Sequence, residues 1–167
     1  FFIHGGGWQA GNRASRLPEM LPEILKSGIS VVSIEYRFVQ EADAAGVKPP
    51  VEWPLHDAAR ALQFVRSKAG EWNIDKQRIG ASGGSAGACS SLWLAFHPDM
   101  ADPKSADPVA RESTRLWCAA VVGAPVADDQ QPQLLVVVAA RLAARPFCRA
   151  GRRRGRAARR RGARLPA

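Results

Sequence analysis

A single serine lies within a cluster of the smallest residues in the chain. The stretch GGSAG at positions 83–87 fits the pattern G-x-S-x-G and separates a strand-like segment from a helix-like one. A serine at such a sharp turn has a strained backbone that lifts its hydroxyl clear of the sheet, and small flanking residues let strand and helix backbones approach. The pattern predicts that Gly83 and Gly87 allow a sharp turn at which the Ser85 hydroxyl is exposed; an ordinary glycine-rich turn is the alternative.

A second glycine-rich stretch, HGGG at positions 4–7, follows a strand-like start and precedes the serine turn. Consecutive glycines let backbone N–H groups point into a cleft without side chains in the way. An acyl-transfer enzyme needs such donors to hold the oxyanion of its tetrahedral intermediate. The N-terminus of the helix behind Ser85 favours negative charge for the same reason. The two stretches together predict acyl-transfer chemistry.

With these motifs the sequence resembles the α/β-hydrolase fold, in particular the HGGG-carrying esterases and lipases related to hormone-sensitive lipase. The resemblance covers roughly positions 1–125. The matching segments are HGGGW at 4–8, IEYRF at 34–38, PLHDAARALQFVR at 54–66 and GGSAG at 83–87.

The resemblance implies a role for each motif residue. Ser85 is expected to be the nucleophile, and the expected oxyanion-hole donors are the N–H groups of Gly6, Gly7 and Ala86. His4 is expected to order the glycine loop, next to Gly5, by hydrogen bonds instead of acting as the base. Trp8 is expected either to line the substrate pocket or to pack under the loop. A small-molecule ester is the expected substrate; no cofactor and no metal are expected.

The partners of the serine are harder to find. In this fold the order along the chain is Ser, then Asp or Glu, then His. His97 is the only histidine after Ser85, and its Pro/Asp-rich surroundings are typical of an exposed loop. Asp128 and Asp129 follow a predicted strand, one strand too early for the acid of the resembled group. The chain is therefore expected to be an incomplete, weakly active or inactive fragment.

Two other charged residues, Asp57 and Arg37, have structural interpretations. Asp57 follows His56 directly, but adjacent helical residues point about 100° apart, which argues against a catalytic pair. Asp57 is expected to brace a neighbouring loop or to act near a helix start, and Arg37 to be a structural ion-pair or hydrogen-bond partner.

The motifs are carried by alternating strand-like and helix-like segments. Strands separated by helices predict a mostly parallel α/β sheet with helices on both faces, truncated after about residue 125. Residues 1–126 are expected to form a partial α/β-hydrolase domain, which starts inside the domain because Phe1 reads as part of a strand. The predicted segments are a helix at 15–28, a strand at 28–36, a helix at 54–70, a strand at 78–82, a helix at 86–96 and a strand at 116–126.

The composition changes after residue 126. The net charge of +9 comes entirely from residues 127–167, which contain 11 arginines and two acids. This Arg/Ala-rich segment predicts either disorder or a frame-shifted reading of GC-rich DNA. The alternative function is a non-catalytic protein with an arginine-rich nucleic-acid-binding tail. We expect no specific nucleic-acid partner, because residues 1–126 are neutral and show no binding motif.

Other features set limits on the protein class. The longest apolar stretches fall short of the roughly 20 residues that a membrane helix needs. Cys89, Cys118 and Cys148 lack the spacing of metal ligands. No targeting segment is recognisable, so cytoplasmic and secreted locations stay open, as does the oligomeric state.

Overall fold

Strands and helices alternate along the part of the chain that the computed structural model describes, residues 1–15, 17–123 and 137–140. Their order is β1 (Phe2–Ile3), α1 (Leu17–Lys26), β2 (Ser33–Ile34), α2 (Val39–Ala44), α3 (Glu52–Ser67), β3 (Gly80–Gly84), α4 (Ala86–Phe96), β4 (Cys118–Val122) and β5 (Val137–Ala140).

The strands form one sheet in the order β2-β1-β3-β4-β5, with the first four parallel. The chain leaves β1 towards one edge of the sheet and leaves β3 towards the other. In open α/β sheets, this reversal opens a crevice at the carboxyl ends of the two central strands. The glycine loop follows β1 and Ser85 follows β3, so both motifs lie at this crevice. The predicted parallel α/β architecture is confirmed.

Helices α3 and α4 cover the sheet with different kinds of surface. In α3, Ala58, Leu62 and Val65 recur at helical spacing and are buried. In α4, the buried residues are all small except Leu94. The backbone of α4 therefore lies close to β3 and β4. The buried core that results contains Ile3, Ile34, Tyr36, Ala58, Ala59, Leu62, Val65, Ile79, Ala81, Leu94 and Leu116.

Most predicted segments are present, with differences at their ends. The strand predicted over 28–36 contracts to β2, because its pairing partner β1 offers only two residues. In α1, Gly28 follows the last turn with a φ of +72°, and Pro22 lies inside the helix. Leu25 on this helix is 52% exposed.

One strand lies where no strand was predicted. Val137–Ala140 form β5, which pairs antiparallel with β4, so the sheet continues beyond residue 126. Two consecutive β-branched valines suit an extended conformation beside an open strand edge. The remaining residues of 127–167 lie outside the described part of the chain.

The segment after β2 is held against α3 by Arg37 and Asp57, each of which was expected to have a structural role. Arg37 donates to the Asp57 carboxylate from its backbone N–H, from Nε, both at 2.9 Å, and from Nη2 at 2.6 Å. Its guanidinium also lies 3.9 Å above the ring of Trp53. Asp57 thus braces a loop, as expected, and takes no part in a catalytic pair with His56.

Candidate active site

Ser85 stands at the turn between β3 and α4 and is exposed. Its backbone has φ 52° and ψ −121°, a strained conformation for a non-glycine residue. The turn is held from both sides, because the Ser85 N–H donates to the Val122 carbonyl at 3.2 Å and its own carbonyl accepts from Cys89 N–H at 3.0 Å. The strain therefore serves to project the hydroxyl beyond the carboxyl end of the sheet.

The glycines flanking Ser85 are required by close backbone contacts. A Cβ added at Gly83 would lie 2.4 Å from the Ile3 carbonyl oxygen and 2.7 Å from the carbonyl carbon of Gly87. One added at Gly87 would lie 2.0 Å from the same Ile3 oxygen. Strands β1 and β3 and helix α4 thus meet at one point behind Ser85, where any side chain would clash.

The glycine loop lies directly against the serine turn. A Cβ at Gly5 would be 2.8 Å from the Gly84 oxygen and 3.5 Å from the Ser85 Cβ. Gly6 and Gly7 have φ values of +114° and +63°, which L side chains rarely adopt. Among the described residues, none accepts a hydrogen bond from the N–H of Gly6 or Gly7.

The N–H of Ala86, the first residue of α4, also has no acceptor in the described part of the chain. It adjoins the Ser85 hydroxyl at the positive end of the α4 dipole. Within the described ranges, these three N–H groups on the two sides of the serine thus have no hydrogen-bond acceptor. Such an arrangement suits the tetrahedral intermediate of acyl transfer.

His4 is fully buried behind the glycine loop. Its Nδ1 lies 2.8 Å from the Gly5 carbonyl oxygen and 3.2 Å from the Tyr36 hydroxyl oxygen. Its ring stacks on Tyr36, with ring centroids 4.3 Å apart, and Nε2 lies 3.4 Å from a Glu35 carboxylate oxygen. These contacts support the interpretation that His4 orders the loop.

Tyr36 is a second anchor of this loop. Its hydroxyl donates to the His4 carbonyl oxygen at 2.9 Å. Burial, with the charge of Glu35 as a smaller contribution, raises the pKa of Tyr36 to about 12. The phenol therefore stays protonated, and remains a hydrogen-bond donor, at every pH near neutrality.

Trp8 follows the three glycines of the loop, and its side chain contacts helix α4. Its indole N–H donates to Ser90 Oγ at 2.9 Å, and its ring is partly buried against the core. Of the two positions predicted for Trp8, this geometry favours packing under the loop.

None of the three histidines lies where it could activate Ser85. His97 caps the opposite end of α4, about 18 Å from Ser85 along the helix axis at about 1.5 Å per residue. His56 on α3 lies beside Trp93, two helical turns from Ser85. His4 is buried behind the glycine loop, where its ring stacks on Tyr36. Asp128 and Asp129, the acids considered in the sequence, lie outside the described residues.

A shallow cleft of about 610 Å³ lies away from Ser85. Its charged groups are engaged with one another or with neighbours, as in the Arg37–Asp57 and Arg60–Asp107 pairs. No residue of the glycine loop or of the serine turn lines it. The lining residues are Glu35, Tyr36, Arg37, Glu41, Asp57, Arg60, Ala61 and Phe64.

In the described ranges, no group of three or more His, Cys, Asp or Glu side chains is arranged to hold a metal ion. None of the helices there combines the length and apolar character required to cross a membrane.

The fold agrees with comparisons to known proteins. A sequence model of the BD-FAE family matches residues 1–124, which include the glycine loop, the serine turn and strand β4. The chain belongs to the BD-FAE family. The predicted membership among esterases related to hormone-sensitive lipase, with the α/β-hydrolase fold, is thereby confirmed.

Several relatives of this BD-FAE chain are ester hydrolases. It is 31% identical over 121 residues to the probable carboxylic ester hydrolase LipM of Mycobacterium tuberculosis, covering 71% of this chain and 26% of LipM. It resembles the solved acetyl ester-xyloside bifunctional hydrolase from Caldicellulosiruptor lactoaceticus, at 34% identity and a TM-score of 0.59, over 72% of this chain and 42% of that one. Butyrate-bound Est2 of Thermogutta terrifontis matches at 27% identity and a TM-score of 0.55, over 72% and 40% of the chains.

The BD-FAE chain thus spans about a quarter of the length of LipM and about two fifths of each solved enzyme.

Two residues that contact the candidate site were given no role in the predictions made from the sequence. Tyr36 and Ser90 both contact the glycine loop across the fold, and neither belongs to a glycine-rich motif. The only signal in the sequence was two serines, Ser90 and Ser91, inside the otherwise small and apolar α4.

Proposed function

We propose that this site carries out acyl transfer in the hydrolysis of carboxylic esters, with Ser85 as the nucleophile. The observation that carries the proposal is the exposed, strained Ser85 with its Cβ 3.5 Å from where a Gly5 Cβ would lie. Nucleophile and glycine loop are therefore close enough to act on one carbonyl group. The family membership and the ester-hydrolysing relatives support this reading.

In the proposed reaction, Ser85 Oγ attacks the carbonyl carbon of the ester and loses its proton to a base, while the carbonyl oxygen becomes an oxyanion. The N–H groups of Gly6, Gly7 and Ala86 stabilise that oxyanion. The intermediate collapses with loss of the alcohol, which takes up the proton, and water then releases the acid from the acyl-serine.

Short acyl esters are the substrates that we propose. The neighbours include an acetyl ester-xyloside hydrolase and an esterase solved with butyrate and with propionate. Acetyl and butyryl esters of p-nitrophenol are therefore the first compounds to assay.

The base is the part of this mechanism that the described residues do not supply. We therefore expect the 167-residue chain to hydrolyse p-nitrophenyl acetate only slowly, and added imidazole to raise the Ser85-dependent rate by about tenfold or more, within the range typical of general-base catalysis. The measurement is the rate difference between the chain and its Ser85→Ala variant at each imidazole concentration, which removes direct hydrolysis by imidazole. Rapid hydrolysis without imidazole would show that a base is already present.

The glycine loop allows a matched comparison. A Cβ at Gly6 would lie 2.0 Å from the Ala10 carbonyl oxygen, whereas one at Gly7 meets nothing within 4 Å. Both positions have positive φ, so both alanine variants carry backbone strain. Gly6→Ala must in addition displace the loop, and we expect it to lower the acylation rate of Ser85 about tenfold more than Gly7→Ala, since a lost donor costs about 10²–10³.

Stopped-flow acylation with p-nitrophenyl acetate, with imidazole present, would separate the rate from the apparent affinity. The proposal requires the rate to fall and the affinity to change little, because these donors act on the transition state. Equal rates in the two variants would argue that the loop has another purpose.

A further inference from the structure

The hydroxyl of Ser90 connects the two sides of the candidate site. It accepts the indole N–H of Trp8 at 2.9 Å and donates to the carbonyl oxygen of Ala86 at 3.0 Å. Ser90 is 1% exposed, so these two bonds form away from water. The connection thus joins Trp8, the residue after Gly7, to Ala86, the first residue of α4.

Trp8 is held in an unfavourable backbone conformation at this point. Its φ is +57°, in the left-handed region that bulky residues rarely adopt. Its carbonyl oxygen accepts the N–H of Val39, at the start of α2, at 2.9 Å. Such conformations persist only where the surroundings impose them, and here the backbone is tied to α2 while the indole is tied to α4.

The oxyanion donors belong to different elements, with Gly6 and Gly7 on the loop after β1 and Ala86 on α4. Three donors can stabilise one oxygen only if the distance between these elements is constant. The chain Trp8–Ser90–Ala86 is a hydrogen-bonded path between them through side chains.

We propose that Trp8 and Ser90 are positioning residues that set the distance between the glycine loop and the N-terminus of α4. This inference rests on the proposed function, in which both elements donate to one oxyanion. Trp8 and Ser90 act only through the N–H groups that they position and do not touch the substrate.

The helix provides a matched control one residue away. Ser91 is fully buried, and its hydroxyl donates to the Gly87 carbonyl oxygen at 2.8 Å, just as Ser90 donates to Ala86. Unlike Ser90, Ser91 forms no hydrogen bond to Trp8 or to the glycine loop. Ser90→Ala and Ser91→Ala therefore remove the same atom from equally buried sites, and only the first breaks the link to Trp8.

The test is covalent labelling of the 167-residue chain by a fluorophosphonate, with the maximal inactivation rate and the reagent's apparent affinity measured separately. We expect Trp8→Phe and Ser90→Ala each to lower the maximal rate about tenfold, part of the 10²–10³ caused by losing one donor, with affinity unchanged. The double variant should lose no more than either single one, and Ser91→Ala should stay within about twofold of wild type. Additive losses, or an equal loss in Ser91→Ala, would overturn the proposal.

Amide hydrogen exchange of residues 5–8 in the same variants is independent of Ser85 chemistry. Faster exchange in Trp8→Phe and Ser90→Ala, but not in Ser91→Ala, is the expected result. Unchanged exchange in all three would overturn the positioning role. Absence of any labelling in the wild-type chain, combined with the expected exchange pattern, would instead count against the proposed function alone.

Discussion

Replacing Ser85 with alanine should abolish covalent labelling of this chain by a fluorophosphonate. The strained turn exposes one hydroxyl at the crevice, and the proposed reaction forms its bond at that oxygen. The expected loss is complete within detection, because removing the nucleophile leaves no atom to be phosphonylated. Intact-mass spectrometry before and after incubation measures it directly.

Ser82→Ala is the control for this experiment. Ser82 is a partly buried serine in β3, three residues before the turn, and its replacement should leave labelling unchanged. No described residue hydrogen-bonds to the Ser85 hydroxyl, so Ser85→Ala should also keep its melting temperature. Labelling that survives in Ser85→Ala would remove this residue from the role of nucleophile.

The second large effect should come from Gly87→Ala. The added Cβ would lie 2.0 Å from the Ile3 carbonyl oxygen and 2.8 Å from that of His4, so α4 must move away from β1. Overpacking of this kind costs about 1–3 kcal/mol, and rigid backbone on both sides places this site at the upper end. We expect the melting temperature to fall by about 4 °C or more.

Gly84→Ala provides the contrast within the same motif. Its Cβ would meet only the Val122 carbonyl oxygen, at 3.6 Å, an ordinary contact, and Gly84 has no positive φ. Thermal unfolding followed by circular dichroism should therefore show little change for Gly84→Ala and a large decrease for Gly87→Ala. Similar melting temperatures for the two variants would mean that the turn is looser than these contacts indicate.

Local patterns in the sequence were sufficient for the main elements. The apolar spacing of Ala58, Leu62 and Val65 predicted α3, and the change from strand-like to small, helix-like residues at Ser85 located both β3 and α4. Their alternation predicted the parallel sheet. The sequence did not predict features that depend on pairing with a neighbouring strand. The length of β2 depends on how many residues of β1 pair with it, and the formation of β5 depends on the free edge of β4.

By itself, the sequence determined which residue types meet at the crevice. The G-x-S-x-G pattern predicted a tight serine turn, and the close approach of the backbones at Gly83 and Gly87 is one that only glycine tolerates. Only the tertiary structure decided how the glycine loop is held. Trp8 meets Ser90 across 82 positions and Tyr36 meets His4 across 32. Such hydrogen bonds depend on the relative placement of separate elements, which side-chain periodicity along one element does not encode.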